Sequence, residues 1–455
     1  MKINNSIAPA RGWVKRALCA GVIMGMSMTA GMSFAGEITK DDTGNIMSPF
    51  ARIAHVQVVK DEYDNIDREA TYIKAKAVAT AIATYVATVN DTTSGFPADW
   101  IVGGMEGGTT IEEAIMRIPS PNFIDPTDPD LGIKKANVMD LCNGYYAKQA
   151  LGVASIAGTD KKVVNGYSHA PALPCELATW NDDENIYIDM LDPNAIFSIF
   201  FTDVLVSADM QDPDFAAAIT ALPVAVKSEI KTIVYNALDV AGIKYNTHDK
   251  TLGPKYLTVE DIFEVVAASP NTSPYKHVAY TKYAGTAFEA GETSAIAQAI
   301  IEAMSIHGED DAGTHDWDVD SILSEGSSWR SARHLPLGLP GTPEKNWVIE
   351  ACSPKYAKMA MGTGMHHATA LPCEISVQRV DLDGNGTTES LVISYLDPAF
   401  MFGAMFSDMT DEEKAALGGI PGFINDDLQF IVKHALDTSG TALNEGVQIW
   451  YTMLP

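Results

Sequence analysis

Ser168-His169-Ala170-Pro171-Ala172-Leu173-Pro174-Cys175-Glu176 and His366-His367-Ala368-Thr369-Ala370-Leu371-Pro372-Cys373-Glu374 are one phrase written twice. Upstream of each stands a cysteine followed by Tyr-Ala-Lys: Cys142 with Tyr146-Ala147-Lys148, and Cys352 with Tyr356-Ala357-Lys358. Downstream, each phrase enters a strand-like segment that ends in Leu-Asp-Pro, at Leu191-Asp192-Pro193 and Leu396-Asp397-Pro398. Further on, Ile230, Ile233, Val234, Ala237, Leu238, Asp239 and Gly242 recur as Leu428, Ile431, Val432, Ala435, Leu436, Asp437 and Gly440 at one constant offset. Composition alone does not produce such register, so the chain reads as two tandem copies of one unit with no third.

Within each copy the periodicities alternate between strand and helix. Copy one opens at Ser48-Pro49-Phe50 with a β-branched run from Ile53 to Val59, then Val78, Ile82, Tyr85, Val86 and Val89 at helical spacing. Residues 90–135 are rich in Gly, Pro and Asp and read as loop; their glycines lack the spacing of a phosphate cradle. A strand from Val138 to Cys142 follows. Glu176 to Trp180 and Ile186 to Met190 then form a hairpin around the acidic turn Asn181 to Asn185. An aromatic run from Phe197 to Phe201 and a long helix capped at Gly242 complete the copy. Copy two restarts at Ser273-Pro274-Tyr275, with a strand from His277 to Tyr283, a helix bearing Ile296, Ile300 and Met304 that closes at Gly308, a polar excursion to Lys345, and a strand from Trp347 to Cys352. The division is therefore a secretory signal over 1–35, a leader over 36–47, a first α+β copy over 48–245, a linker over 246–272 with a short helix from Val259 to Ala268, and a second copy over 273–455.

The order Cys, Tyr-Ala-Lys, Leu-Pro-Cys, strand, Leu-Asp-Pro, helix resembles the domain of unknown function 302 family, over both copies. Its two landmarks are matched best by Glu350-Ala351-Cys352-Ser353-Pro354-Lys355-Tyr356-Ala357 and Leu371-Pro372-Cys373-Glu374. Copy one departs by Asn143-Gly144 in place of Ser-Pro and by a longer stretch before His169. The resemblance implies an α+β fold of two β-α-β4-α units, each an antiparallel sheet with helices on one face. Single-domain relatives pair as dimers, so it also implies an internal pseudo-dimer of the two copies. It implies no activity.

The first 35 residues carry Lys2, Arg11, Lys15 and Arg16, an apolar run from Ala17 to Met32 and Ser33-Phe34-Ala35 before Gly36. That is an export signal cleaved near Ala35, and it predicts a periplasmic or extracellular protein. No later run is long enough for a membrane helix. With 59 acidic against 31 basic residues and a net charge of −28, the chain repels nucleic acid and anionic lipid. The charge suits solubility, a cationic protein partner, or a small-molecule ligand.

Three constellations carry candidate chemistry. Cys142, Cys175, Cys352 and Cys373 are two per copy in an exported chain, which favours the disulfides Cys142 to Cys175 and Cys352 to Cys373. If reduced, each pair joins His169 or His367 as a Cys/His/Cys set for zinc, copper or haem, or acts as reactive thiols. Met359, Met361, Met365, His366 and His367 add soft ligands in copy two alone, though methionines so placed are more often core filler. Asp381, Asp383, Asn385, Thr387 and Glu389 space oxygens as a calcium loop does, in a hairpin turn where Asp-Gly and Asn-Gly are also ordinary turn residues. Val392 stands where an EF-hand would place its glutamate. With no hydrolase, zincin or kinase motif, the sequence points to a non-enzymatic exported binding or structural module, with a redox or metal protein as the alternative.

Overall fold

The structure, a computed structural model, describes residues 49–89, 100–103, 110–119, 135–251, 274–281, 287–310, 330–336, 346–381, 390–439 and 449–451, apart from single positions at 165, 174, 206, 288, 372, 407 and 408. The signal and leader, the Val259 to Ala268 segment, and Asp383, Asn385, Thr387 and Glu389 of the calcium-loop reading lie outside the described residues.

The first half runs β1 (Phe50–Gln57), α1 (Arg68–Val89), β2 (Trp100–Val102), α2 (Ile111–Ala114), β3 (Met116–Pro119), β4 (Lys135–Asn143), α3 (Gly144–Ala150), a 3-10 turn (Gly166–Ala172), β5 (Cys175–Asn181), β6 (Asn185–Leu191), α4 (Pro193–Phe200), α5 (Thr202–Leu205), α6 (Pro213–Val240) and β7 (Asn246–Thr251). The second half runs β8 (Tyr275–Thr281), α7 (Ala290–Asp310), β9 (Arg330–Pro336), β10 (Asn346–Cys352), α8 (Pro354–Gly362), a 3-10 turn (Met365–Ala370), β11 (Cys373–Val380), β12 (Ser390–Leu396), α9 (Pro398–Met405), α10 (Asp411–Leu417), α11 (Ile420–Thr438) and β13 (Ile449–Tyr451), a similar order with the single strand β9 where the first half has β2, α2 and β3. The sheets are ordered β2-β4-β5-β6-β1-β7, with β3 also on β4, and β13-β8-β12-β11-β10-β9. Every ladder is antiparallel. This is the expected α+β class, with one further edge strand after the last helix of each half.

The repeated motifs have local physical jobs. In Leu-Asp-Pro the aspartate is a helix N-cap and the proline takes the first helical position, where its missing N–H costs nothing. Asp192 Oδ1 accepts from Asn194 N at 3.0 Å, and Asp397 Oδ1 from Ala399 N at 2.9 Å. The same aspartates donate backbone N–H groups to Pro49 O at 2.6 Å and Pro274 O at 2.8 Å, tying each Ser-Pro opening to its hairpin. Asn143 replaces the expected Ser-Pro by capping α3 itself, accepting from Tyr145 N at 2.9 Å. Gly242 ends α6 at φ +67°, with Gly242 N–H on Asp239 O and Ile243 N–H on Leu238 O, the paired bonds of a Schellman stop.

Four departures from the sequence reading stand out. Residues 90–135 hold β2, α2 and β3 rather than loop throughout, and 246–251 form an edge strand rather than linker. Helix α7 runs through Gly308 to Asp310. Cys142, Cys175, Cys352 and Cys373 form no disulfides, against the two expected. Cys175 pairs with Leu141 and Cys373 with Ala351, so in each half the two cysteines are one residue out of register. Successive strand residues leave opposite faces. Cys142 therefore packs with Ala170 and Val348, while Cys175 packs under the helices of its own half; Cys352 and Cys373 divide likewise.

That division also sets the layers. One face of each sheet carries its helices: α1 and α6 cover Leu141, Leu177 and Ile188, and α7 and α11 cover Ile349, Ile375 and Ile393. The opposite faces meet across the middle, where Val138 and Ala178 pack with Cys352, Ala357 and Ala368. The result is helix, sheet, sheet, helix. No helix among the described residues is long and apolar enough to cross a membrane.

Candidate functional site

The expected ligand sets do not assemble. His169 is fully buried; its Nε2 contacts Asp203 Oδ1 at 3.0 Å and its Nδ1 faces Ala150 O at 3.4 Å. His367 is equally buried, with Nδ1 on Thr363 Oγ1 at 2.9 Å and Ala360 O at 3.3 Å. Each ring sits against an aromatic of its own half, Phe201 at 4.2 Å and Phe406 at 4.6 Å, and against the first strand residue of the other half, Tyr275 at 5.8 Å and Phe50 at 5.2 Å. The histidines are thus reciprocal struts between the halves. His366 stacks edge-on to Phe50, and Met365 is half-buried against the Cys352 cluster. Among the described residues, no group of three converging His, Cys, Asp or Glu ligands combines these histidines with the cysteines. Asp381 is placed at the end of β11.

What does converge between the sheets is carboxylate. Asp140 and Glu176 are register partners on β4 and β5, and Glu350 and Glu374 on β10 and β11. All four are buried. Asp140, Glu176 and Glu374 each bring an oxygen within 4.8 Å of the others, and a Cβ placed on Gly103 would meet Asp140 Cβ at 3.1 Å and Glu350 Oε1 at 3.4 Å. Burial, then the charges of Glu176 and Asp140 and a hydrogen bond with Glu176, hold the Glu374 carboxyl well above its usual range. Such a cluster shares protons, or it presents hard oxygen donors of the kind magnesium, calcium or manganese take. The glutamate following each Leu-Pro-Cys was the available signal, a charged residue at the start of a largely buried strand.

Under the helices, each half holds an apolar pocket. The first measures about 70 Å³ and the second about 60 Å³. Their walls correspond position by position: Tyr146 and Tyr356, Ala150 and Ala360, Leu173 and Leu371, Cys175 and Cys373, Phe197 and Phe402, Val226 and Ile424. So each repeated motif supplies one wall: Tyr-Ala-Lys, Leu-Pro-Cys, the helix after Leu-Asp-Pro, and the long last helix. The tyrosines are anchored alike. Tyr146 Oη donates to Glu229 Oε1, whose other oxygen accepts from Trp100 Nε1 at 2.6 Å, and Tyr356 Oη donates to Asp427 Oδ2 at 2.9 Å. Glu229 and Asp427 occupy equivalent turns of α6 and α11. Burial pushes the Tyr146 hydroxyl up, reinforced by Glu229, so it stays a proton donor at ordinary pH.

The pocket thiols are poor nucleophiles. Desolvation, followed by the charge of Glu176, lifts Cys373 to about 12, and desolvation followed by the charges of Cys142, Glu176 and Asp140 raises Cys175 well above its usual range.

Residues 341–419 match the family described as Domain of unknown function DUF302. The match spans β10 to α10, and with them the second Tyr-Ala-Lys, Leu-Pro-Cys and Leu-Asp-Pro. No curated protein and no solved structure matches the chain.

Proposed function

We propose that this chain is an exported, non-enzymatic binding module, a tandem duplication of the DUF302 unit folded as an internal pseudo-dimer, with one small apolar ligand taken up in each half. The observation that carries the reading is the repetition of the pocket, wall for wall, in two halves whose side chains otherwise differ. Each half leaves some 60–70 Å³ of apolar space unfilled, and unfilled apolar space forgoes packing contacts. A chain under selection for packing alone fills such space; here Ala150 and Ala360 leave it open in both.

The occupant is a small apolar molecule, or the apolar end of a larger one, since the walls are mostly hydrocarbon, with Cys142, Asn143, Cys175 and the anchored Tyr146 as polar groups beside Trp100 in the first and Ser353, Cys373 and the anchored Tyr356 in the second. The raised thiols argue against covalent catalysis. The reciprocal histidine struts support the pseudo-dimer. A titration of the mature protein with indole and 1-hexanol, followed by methyl NMR, tests the reading. Saturable shifts at Ile196, Leu173, Leu371 and Ile424 are expected. Shifts absent from these methyls, or spread evenly over the surface, would sink it.

A further inference from the structure

The first sheet ends in an arrangement that neither the pockets nor the interface uses. Strand β7 lies antiparallel to β1 with Asn246 opposite His55 and Thr247 opposite Ala54; the register then slips, and Lys250 falls opposite Arg52. Two residues, His248 and Asp249, therefore stand against Ile53 alone. Such a bulge bends a strand and re-aims its side chains. Here it brings His248 Nε2 to 2.5 Å from His55 Nδ1, with the rings tilted 38° at a centroid distance of 4.6 Å. The other nitrogen of His55 lies 3.0 Å from the Asn246 side-chain amide nitrogen.

Two imidazole nitrogens that face each other from neighbouring strands become the jaws of a chelate once the rings part and turn toward a common ion. Metal–imidazole bonds of about 2.0–2.1 Å set two nitrogens on one ion about 2.9 Å apart at a right angle and about 3.3 Å apart in a tetrahedron. The pair needs to open by less than about 1 Å from its present separation. It can do so because β7 is the last strand in the sheet order, with no further strand outside it among the described residues. Asn246 is exposed, which leaves a path for the ion and for water ligands. It also supplies the supporting contact that ligating histidines use: with Nδ1 on a metal, the His55 proton moves to Nε2, and the Asn246 amide turns its oxygen to accept it. The net charge of −28 draws cations to the surface.

We propose that His55 and His248 bind a borderline divalent cation, copper(II) in preference to zinc or nickel, with water completing the coordination. Neutral imidazole suits these ions, and copper stands highest in their common order of affinity. Calcium and magnesium are excluded by donor type.

The test is copper(II) titration of the mature chain, followed by electron paramagnetic resonance, with His55→Ala, His248→Ala and, as a control on another surface histidine, His434→Ala. The expected wild-type spectrum shows nitrogen couplings from two imidazoles. Each of the first two variants is expected to lose one coupling and at least tenfold in affinity, with far-ultraviolet circular dichroism unchanged, while His434→Ala keeps both. The proposal is overturned if wild type binds no copper at millimolar concentration, or if His55→Ala and His248→Ala leave affinity and couplings as they were.

Discussion

Replacing Glu374 by glutamine should remove its share of the pH dependence that the carboxylate cluster imposes on stability. In the folded chain this carboxyl is buried beside Glu176 and Asp140 of the other half and held well above its ordinary value of 4.5. In the unfolded chain it ionises normally. Between the two values the folded state therefore binds one proton more than the unfolded state, and stability falls as pH rises. The slope for one proton is about 1.4 kcal/mol per pH unit. Glutamine keeps an N–H donor for Glu176 and removes the proton uptake. As pH rises above the ordinary value the variant should gain stability relative to wild type for as long as pH stays below the folded value, with little difference near pH 4, where the carboxyl is largely protonated in both states. Guanidinium denaturation of both proteins at pH 4, 5, 6 and 7 and constant ionic strength reads this directly. Parallel stability profiles, or a variant that weakens faster with pH, would refute the reasoning.

Three further outcomes follow from the same geometry. Tyr356→Phe removes the bond to buried Asp427 and should cost about 1.5–3 kcal/mol in denaturant melts, the range for a hydrogen bond to a carboxylate; a loss below a few tenths would contradict the anchoring role. Under denaturing conditions without reductant, the mature chain should titrate four thiols, Cys142, Cys175, Cys352 and Cys373, and two or none would restore the disulfides. Gly152 stands at φ +67°, and a Cβ there would lie 2.1 Å from Val163 O, so Gly152→Ala should destabilise by at least about 2 kcal/mol; near-neutral behaviour would count against this turn.

The elements legible in the sequence were those with a local cause. Leu-Asp-Pro is a cap and a first-turn proline, Gly242 is a left-handed stop, and the paired long helices declare themselves by spacing. Edge strands were not legible. Asn246-Thr247-His248-Asp249-Lys250-Thr251 has no apolar alternation because it is held at the rim by its backbone, and Trp100 to Val102 is too short to carry a period. The cysteines misled because an export-like leader and an even count say nothing about register, and one residue of offset placed each pair across its sheet. The sites were legible only as parts. Tyr146, Leu173 with Cys175, and Phe197 belong to three separate motifs, and their meeting around one cavity is a consequence of tertiary packing. The glutamates after the cysteines were visible, yet their convergence depends on the two sheets lying face to face.

The most direct test of twin binding sites is xenon under pressure in crystals of the protein, since xenon enters small apolar cavities. Two xenon atoms per chain are expected, one against Ala150, Leu173 and Phe197 and one against Ala360, Leu371 and Phe402. Ala150→Leu should empty only the first site and Ala360→Leu only the second. Xenon in neither pocket, or in one alone, would contradict the account.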